Sequence, residues 1–342
     1  MSILLTLLII AVLILAHEWG HFITARRIGI PVHEFSIGFG YKLLSHKKNG
    51  VEYSLRLVPL GGFVRMAGEE LGDPDEPNGF NRRTPLEKIR VSFAGPFMNF
   101  VLALLIFVYS YSFIGIPKAS DQPLIGTVIA GKPADLAGIE EGDRIISVNG
   151  NQVKSWIEFD KLTGKFENQA LELKISRSNK IMEFQVTPIK LDSSGNLGIG
   201  VLNTVNYEKQ GIITSIKLGL QHTYELTLLL LSALAMLVSG GASMGDLAGP
   251  VGITRLVGEF AQVGTVFLLN FAAFLSINLG LMNLLPIPAL DGSKIVFALV
   301  EAVRRKPLDP DKEGFINWIG FMFLIGLMVL VTFNDIIRWI KG

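Results

Sequence analysis

Apolar residues run almost without a break from Ile3 to about Ile23, and the interruptions that stand out are His17, Glu18 and His21. A helix needs about 20 apolar residues to cross a hydrocarbon core, so the pattern predicts a first membrane-spanning helix. Met1-Ser2 supplies no basic stretch and no small-residue cleavage site follows, so this helix is expected to be permanent rather than a removable leader. Three further runs are long enough to span: residues 91–116, 266–285 (continuing past a proline break) and 315–333. A fifth run, 226–238, is shorter and opens among Gln221, His222, Tyr224 and Glu225.

Charge decides what the fifth run does. Residues 25–90 carry eleven Lys or Arg, and the short stretch after the third span carries Arg304, Arg305, Lys306 and Lys312. Basic loops stay on the cytoplasmic side. Both stretches are therefore expected inside, with an even number of crossings between them. The 226–238 run then lies along, or dips into, the outer interface. Four spans result, with both termini and residues 117–265 outside.

Within that outer region the pattern changes from long apolar runs to short β-branched ones. Leu171-Glu172-Leu173-Lys174-Ile175 alternates with the period of a half-buried strand, and Gly131, Gly138, Gly142 and Gly150 punctuate turns. The stretch Pro133-Ala-x-x-Ala-Gly-Ile-x-x-Gly-Asp-x-Ile-x-x-Val-Asn-Gly150 resembles the PDZ family. That resemblance implies a domain able to take an extended peptide as an added strand. A small β module that only spaces or gates the membrane part is the alternative reading.

Composition fits this division. The chain has 342 residues, 49 % hydrophobic and 18 % charged, with a mean hydropathy of +0.44. A membrane bundle plus one folded module accounts for that balance. A net charge of +1 gives no bulk electrostatic case for nucleic acid. The absence of cysteine excludes thiol catalysis, cysteine metal sites and disulfides.

The sharpest chemical signal lies in the first helix. His17-Glu18-Trp19-Gly20-His21 reads H-E-x-x-H, and residues four apart share a helix face, so both imidazoles can address one ion. The glutamate beside the first ligand can hold a water and take its proton. Zinc suits two histidines, an oxygen ligand and an open position. Ionisable groups inside a bilayer cost several kcal/mol unless paired, solvated or metal-bound, and a metal explains all three residues at once. For the oxygen ligand, "NLGLMNLLPIPALDG" (278–292) places Pro286 and Pro288 inside an apolar segment, just before Asp291. Irregular backbone at membrane depth is tolerated only where it is buried or lines a wet cavity. The first and third spans run in the same direction, so the histidines and Asp291 reach comparable depth, about 20–30 Å in. A polar cap near the headgroups is the plainer reading of Asp291 alone.

H-E-x-x-H in the first helix, a PDZ-like module and Asn283-Leu-Leu-Pro-x-Pro-x-Leu-Asp291-Gly292 together resemble the site-2 protease family of intramembrane zinc metalloproteases. Within it, the nearest likeness is to the bacterial regulator of sigma-E protease type. "FSIGFG" (35–40), "PLGGFVRM" (59–66) and "AGPFMN" (94–99) agree. The resemblance implies a polytopic α-helical membrane protein of four transmembrane helices with an inserted α+β PDZ domain and a membrane-associated β-loop. Its parts are 1–116, the N-terminal membrane half; 117–205, the extracytoplasmic PDZ domain; 206–265, an interfacial amphipathic linker; and 266–342, the C-terminal membrane half. It also implies roles: His17, His21 and Asp291 ligate Zn²⁺, and Glu18 is the general base. Asn283 and Asn278 bind the substrate backbone, and Gly38, Phe39 and Gly40 help hold the substrate as an extended strand. A helix cap at Asn283 and plain turns at Gly38 and Gly40 are the alternatives, while Gly95, Pro96 and Asn99 are expected to shape helix packing.

The implied activity is regulated intramembrane proteolysis, in a stress response, of single-span proteins already shortened outside, of the anti-sigma-factor type, and of remnant signal peptides. The implied setting is the bacterial cytoplasmic (inner) membrane, with the lipid bilayer as a partner and extended peptide at the PDZ groove. Two departures stand out: the chain has room for one PDZ domain where tandem pairs are known, and Ser293 replaces the usual second glycine after Asp-Gly. The rival readings are a PDZ-bearing membrane scaffold with a structural metal, which needs a fourth ligand that His33, His46 and His222 do not offer, and a metal transporter, for which no inverted repeat is visible.

Overall fold

The computed structural model describes residues 2–69, 76–166, 169–190, 197–241 and 248–341. In chain order the first elements are α1 (Ser2–Ile28), β1 (Val32–Lys48), β2 (Val51–Met66) and α2 (Pro85–Tyr109). A β-rich stretch follows: β3 (Ile116–Ala119), β4 (Ile125–Val128), α3 (Pro133–Leu136), β5 (Arg144–Val148), β6 (Asn151–Gln152), α4 (Trp156–Thr163), β7 (Leu171–Arg177), β8 (Lys180–Val186), β9 (Ile189–Lys190), β10 (Leu197–Gly198), β11 (Val201–Asn203) and β12 (Val205–Glu208). Helices complete the chain: α5 (Ile212–Val238), α6 (Pro250–Val263), α7 (Thr265–Asn283), α8 (Asp291–Arg304) and α9 (Pro310–Lys341). Two compact units result, one of residues 1–112 and 211–342, the other of 113–210.

Among the described residues five helices are long and apolar enough to cross a membrane: Ser2–Ile28, Pro85–Ile114, Ile212–Leu237, Thr265–Asn283 and Asp311–Ile337. The third of these extends well beyond the 226–238 run, because its polar residues are satisfied within the helix. Gln221 donates to Glu225 at 2.8 Å, and the Thr223 and Thr227 hydroxyls donate to carbonyls one turn back.

In the helical unit α2 is the hub, packing on α1, α5, α7 and α8. Its start is fixed by a capping box: Thr84 accepts from the Glu87 N–H while the Glu87 carboxylate accepts from the Thr84 N–H at 2.9 Å, with Pro85 in the first turn. The α1–α2 crossing is close because glycines face it. A Cβ on Gly20 would stand 2.2 Å from the Ala94 carbonyl oxygen.

β1 and β2 join through Asn49-Gly50, both at positive φ, the turn that matches strand twist. The pairing is doubled back, since residues 34–37 face 62–65 on one side and 52–55 on the other. Phe35, Val64 and Met66 of this sheet pack with Phe22 and Ala25 of α1 and Val91 of α2, which seats the hairpin on the end of α1 and the first half of α2.

α7 ends at Asn283, and Pro286 and Pro288 prevent its continuation. α8 then restarts at Asp291, and the link is tightly held. Ala289 sits at φ +75° and its N–H donates to Asn317 Oδ1 of α9 at 3.1 Å. Gly292 has no room for a side chain, since a Cβ would stand 2.2 Å from the Leu285 carbonyl oxygen. The Ser293 hydroxyl donates to the Leu290 carbonyl at 2.7 Å. Lys88 of α2 meets Glu301 of α8 in a buried ion pair at 2.7 Å, bracing α8 against α2.

The second unit has its own core, built on Ile125, Ile145, Phe159, Leu171, Leu173 and Ile199. Its main sheet has the order β6-β5-β7-β8. Along β7, Leu171, Leu173 and Ile175 are buried and Glu172 is exposed, as the alternation predicts. Asp143 is fully buried and held by a two-pronged bond from Arg177, at 2.8 and 2.7 Å, and by the Glu140 N–H.

Candidate metal centre

One helical turn separates His17 from His21 on α1, and both rings are turned inward and 7 % exposed. Their Nε2 atoms are 3.2 Å apart. Asp291, at the first turn of α8, brings its Oδ2 to 3.1 Å from His17 Nε2 and 3.2 Å from His21 Nε2. Among the described residues these three form the one His/Asp/Glu group able to hold a metal ion. Tetrahedral zinc with bonds of about 2.0–2.1 Å spaces its ligand atoms about 3.3 Å apart, so the triangle fits such an ion, with the fourth position left open.

The surroundings of each imidazole are also built. His21 Nδ1 faces the Val91 carbonyl at 2.8 Å, which keeps the proton on Nδ1 and leaves Nε2 free. Gly95 makes room for the ring, since a Cβ at that position would stand 2.2 Å from His21 Nε2. His17 Nδ1 lies 3.2 Å from the Asn99 side-chain amide.

The triangle borders a cavity of about 270 Å³ that Glu18 also lines. Phe63 and Met66 from the hairpin, Asn283 from the end of α7, and the Glu69–Lys294 ion pair complete much of its wall. Glu18 lies against Gly62 of β2, where a Cβ would stand 3.5 Å from its Cγ. A glutamate, three side chains spaced for a metal ion and the side-chain amide of Asn283 therefore share one pocket inside the helical unit.

Not every residue expected from sequence reaches that pocket. Asn278 is half-buried on α7 and outside the cavity wall. Phe39 stacks on Phe63 with ring centroids 6.2 Å apart, one layer back from the cavity. Gly38 and Gly40 sit at positive φ in β1, and Gly38 abuts the Val58 carbonyl. His33 and His46 lie on β1 and His222 on α5, and none joins the metal group. Nothing in the sequence marks Val91, Glu69 or Lys294, and Asn99 reads there as a packing residue. "AGPFMN" was the signal that carried part of this, because a polar residue two turns into an apolar helix needs a partner.

Comparison with known proteins is consistent with this geometry. The model of peptidase family M50 matches residues 5–327. A Clostridium perfringens protein named as a zinc metalloprotease is 40 % identical over 340 residues, covering 98 % of this chain and 99 % of its own. The regulator of sigma-W protease RasP of Bacillus subtilis is 34 % identical, covering 97 % of each chain. Among solved structures, the PDZ domain of an SdrC-like protein from Listeria innocua is 25 % identical over 26 % of this chain and 99 % of its own, with a TM-score of 0.23.

Proposed function

Because the chain belongs to peptidase family M50, the site-2 zinc metalloproteases, we propose that its buried pocket cleaves peptide bonds within the membrane, in single-span proteins already shortened on their outer side. The observation that carries this is the ligand triangle of His17, His21 and Asp291 with Glu18 on the same cavity wall. When bound there, zinc supplies Lewis acidity, polarising the scissile carbonyl and making water acidic enough to react at neutral pH. Glu18 takes the proton of the attacking water and delivers it to the leaving amine. A helical peptide bond is shielded, so the substrate must be unwound. Asn283 holds its backbone at the cavity, with Asn278 further along α7 as a second contact. The hairpin segment Gly38-Phe39-Gly40 takes the chain as an extended strand. Anti-sigma factors fit as substrates, the Bacillus subtilis relative being named a regulator of sigma-W protease, and remnant signal peptides share the required form.

The 113–210 unit is a PDZ domain on the extracytoplasmic face of the bacterial cytoplasmic (inner) membrane, taking extended peptide or excluding substrates that keep bulky outer parts. Topology within the helical unit bears on the number of spans. α5 begins beside the end of α2, where Ser112 donates to Ser215 at 2.8 Å. α6 packs by the start of α1, where Gly258 approaches Ser2. The chain thus begins and ends this stretch at the same end of the unit, which favours α5 lying along or dipping into the outer interface, with four helices spanning.

The test is cleavage of a tagged single-span protein, trimmed outside, by purified wild type and Glu18→Gln, with zinc measured in both. Cutting by wild type alone at equal zinc content is expected. Equal cutting by both would remove Glu18 from the mechanism.

A further inference from the structure

A histidine that binds metal through Nε2 carries its proton on Nδ1, and that N–H needs an acceptor. For His21 the acceptor is the Val91 carbonyl. For His17 the group facing Nδ1 is the Asn99 amide, on a residue with no exposed surface. Val91, Gly95 and Asn99 follow one another at four-residue intervals, so a single stripe of α2 meets both rings.

An amide has an accepting and a donating end, interchanged by a half-turn about its last bond. With Nδ2 towards the ring, His17 Nδ1 must be bare, its proton moves to Nε2, and the ligand is lost. In that orientation Asn99 Oδ1 is also a buried oxygen without a hydrogen-bond partner, which folded proteins avoid. With Oδ1 towards the ring, Nδ1–H has its acceptor and Nε2 is free. We propose that Asn99 is a positioning residue of the metal centre, whose Oδ1 accepts from His17 Nδ1–H and locks the ring in the tautomer that offers Nε2 to zinc. The proposal rests on His17 being a zinc ligand.

The mount is rigid, as such a role requires. The Asn99 backbone carbonyl accepts from the fully buried Ser276 hydroxyl of α7 at 2.8 Å. Gly280 of α7 packs on the Asn99 side chain so closely that a Cβ there would stand 3.2 Å from Asn99 Cβ.

The experiment compares full-length wild type, Asn99→Leu, Asn99→Asp and His17→Ala, with zinc affinity read by chelator competition and the melting of the metal-free protein read alongside. Leucine keeps the volume and removes the acceptor, while aspartate keeps an acceptor in place. Asn99→Leu is expected to weaken zinc binding about 10–100-fold with little change in melting, and Asn99→Asp to stay within a few-fold of wild type. A packing role reverses the order, since leucine suits an apolar helix contact and a buried carboxylate does not. Wild-type zinc affinity in Asn99→Leu, or equal loss in both variants, would overturn the proposal while leaving the protease reading intact. Unchanged zinc binding in His17→Ala would overturn the ligand assignment and the proposal together. Should Asn99→Asp fail to fold, ¹⁵N-histidine NMR of the zinc-loaded wild type decides: a proton on His17 Nδ1 supports the assignment, and its absence overturns it.

Discussion

Gly95→Ala adds one methyl group at the point where α2 passes the second histidine. The new Cβ would stand 2.2 Å from His21 Nε2, 2.6 Å from Cε1 and 2.8 Å from Cδ2, where relaxed contacts are about 3.5–4.0 Å. The ring or the helix must therefore give way by more than about 1 Å, whereas metal ligands keep their distances within about 0.2 Å. Parting α1 from α2 instead would open the seam where Gly20 meets Ala94, and such overpacking costs about 1–3 kcal/mol. That cost is too small to prevent folding and the displacement is too large for the site. The variant is expected to fold with a lowered melting temperature, to bind zinc at least about a hundredfold more weakly, since even second-layer changes cost 10–100-fold, and to lose cleavage. Zinc stoichiometry in buffered metal, measured by mass spectrometry beside thermal melting, provides the readout. Gly326→Ala is the control, because no atom lies within 4 Å of a Cβ there. Wild-type zinc affinity in Gly95→Ala would refute the reasoning that the α1–α2 crossing sets the site.

The Glu69–Lys294 pair ties the end of the hairpin to α8 one turn beyond Asp291 and lines the same cavity. Glu69→Gln and Lys294→Met are each expected to weaken zinc retention and cleavage, and the double variant to fall short of additivity by about 0.5–3 kcal/mol. Simple additivity in a double-mutant cycle would show that the pair does not act as a unit. In the hairpin, burial of Glu34 favours its neutral form, but the Ser54 and Arg56 hydrogen bonds and the charges of Arg56 and Lys42 outweigh burial and hold its carboxyl below the ordinary range. A group depressed in the folded state stabilises above its unfolded value, about 4.3 for glutamate, and that stability is lost as pH falls through the folded value. Melting of wild type should therefore drop more steeply than that of Glu34→Gln as pH falls below about 4.3. Parallel curves would contradict this.

How much of this could be read from the chain follows from the range over which each feature is decided. Lipid demands long apolar runs, so the helices at 3–23, 91–116, 266–285 and 315–333 announce themselves. H-E-x-x-H is decided within one helical turn, and the proline break before Asp291 within seven residues, so the ligand candidates were legible too. α5 was not fully legible: Gln221, Thr223 and Glu225 look like the edge of a helix, yet each is satisfied along the helix itself, and the polarity interrupts nothing. The hairpin was legible through likeness alone, because strands that double back and carry exposed apolar residues such as Tyr41, Leu44 and Leu57 leave no clean alternation. The groups that contact the two histidine rings lay furthest out of reach. Val91 acts through a backbone carbonyl, which no side chain advertises. Asn99 meets His17 across 82 residues, and Lys294 meets Glu69 across 225. Such pairs depend on where helices cross, and the crossing here is set by Gly20 and Gly95. A glycine in a membrane helix was read as room for packing. The structure shows what the room holds, a histidine ring, so the "AGPFMN" stretch combines a space for His21 with an amide against His17.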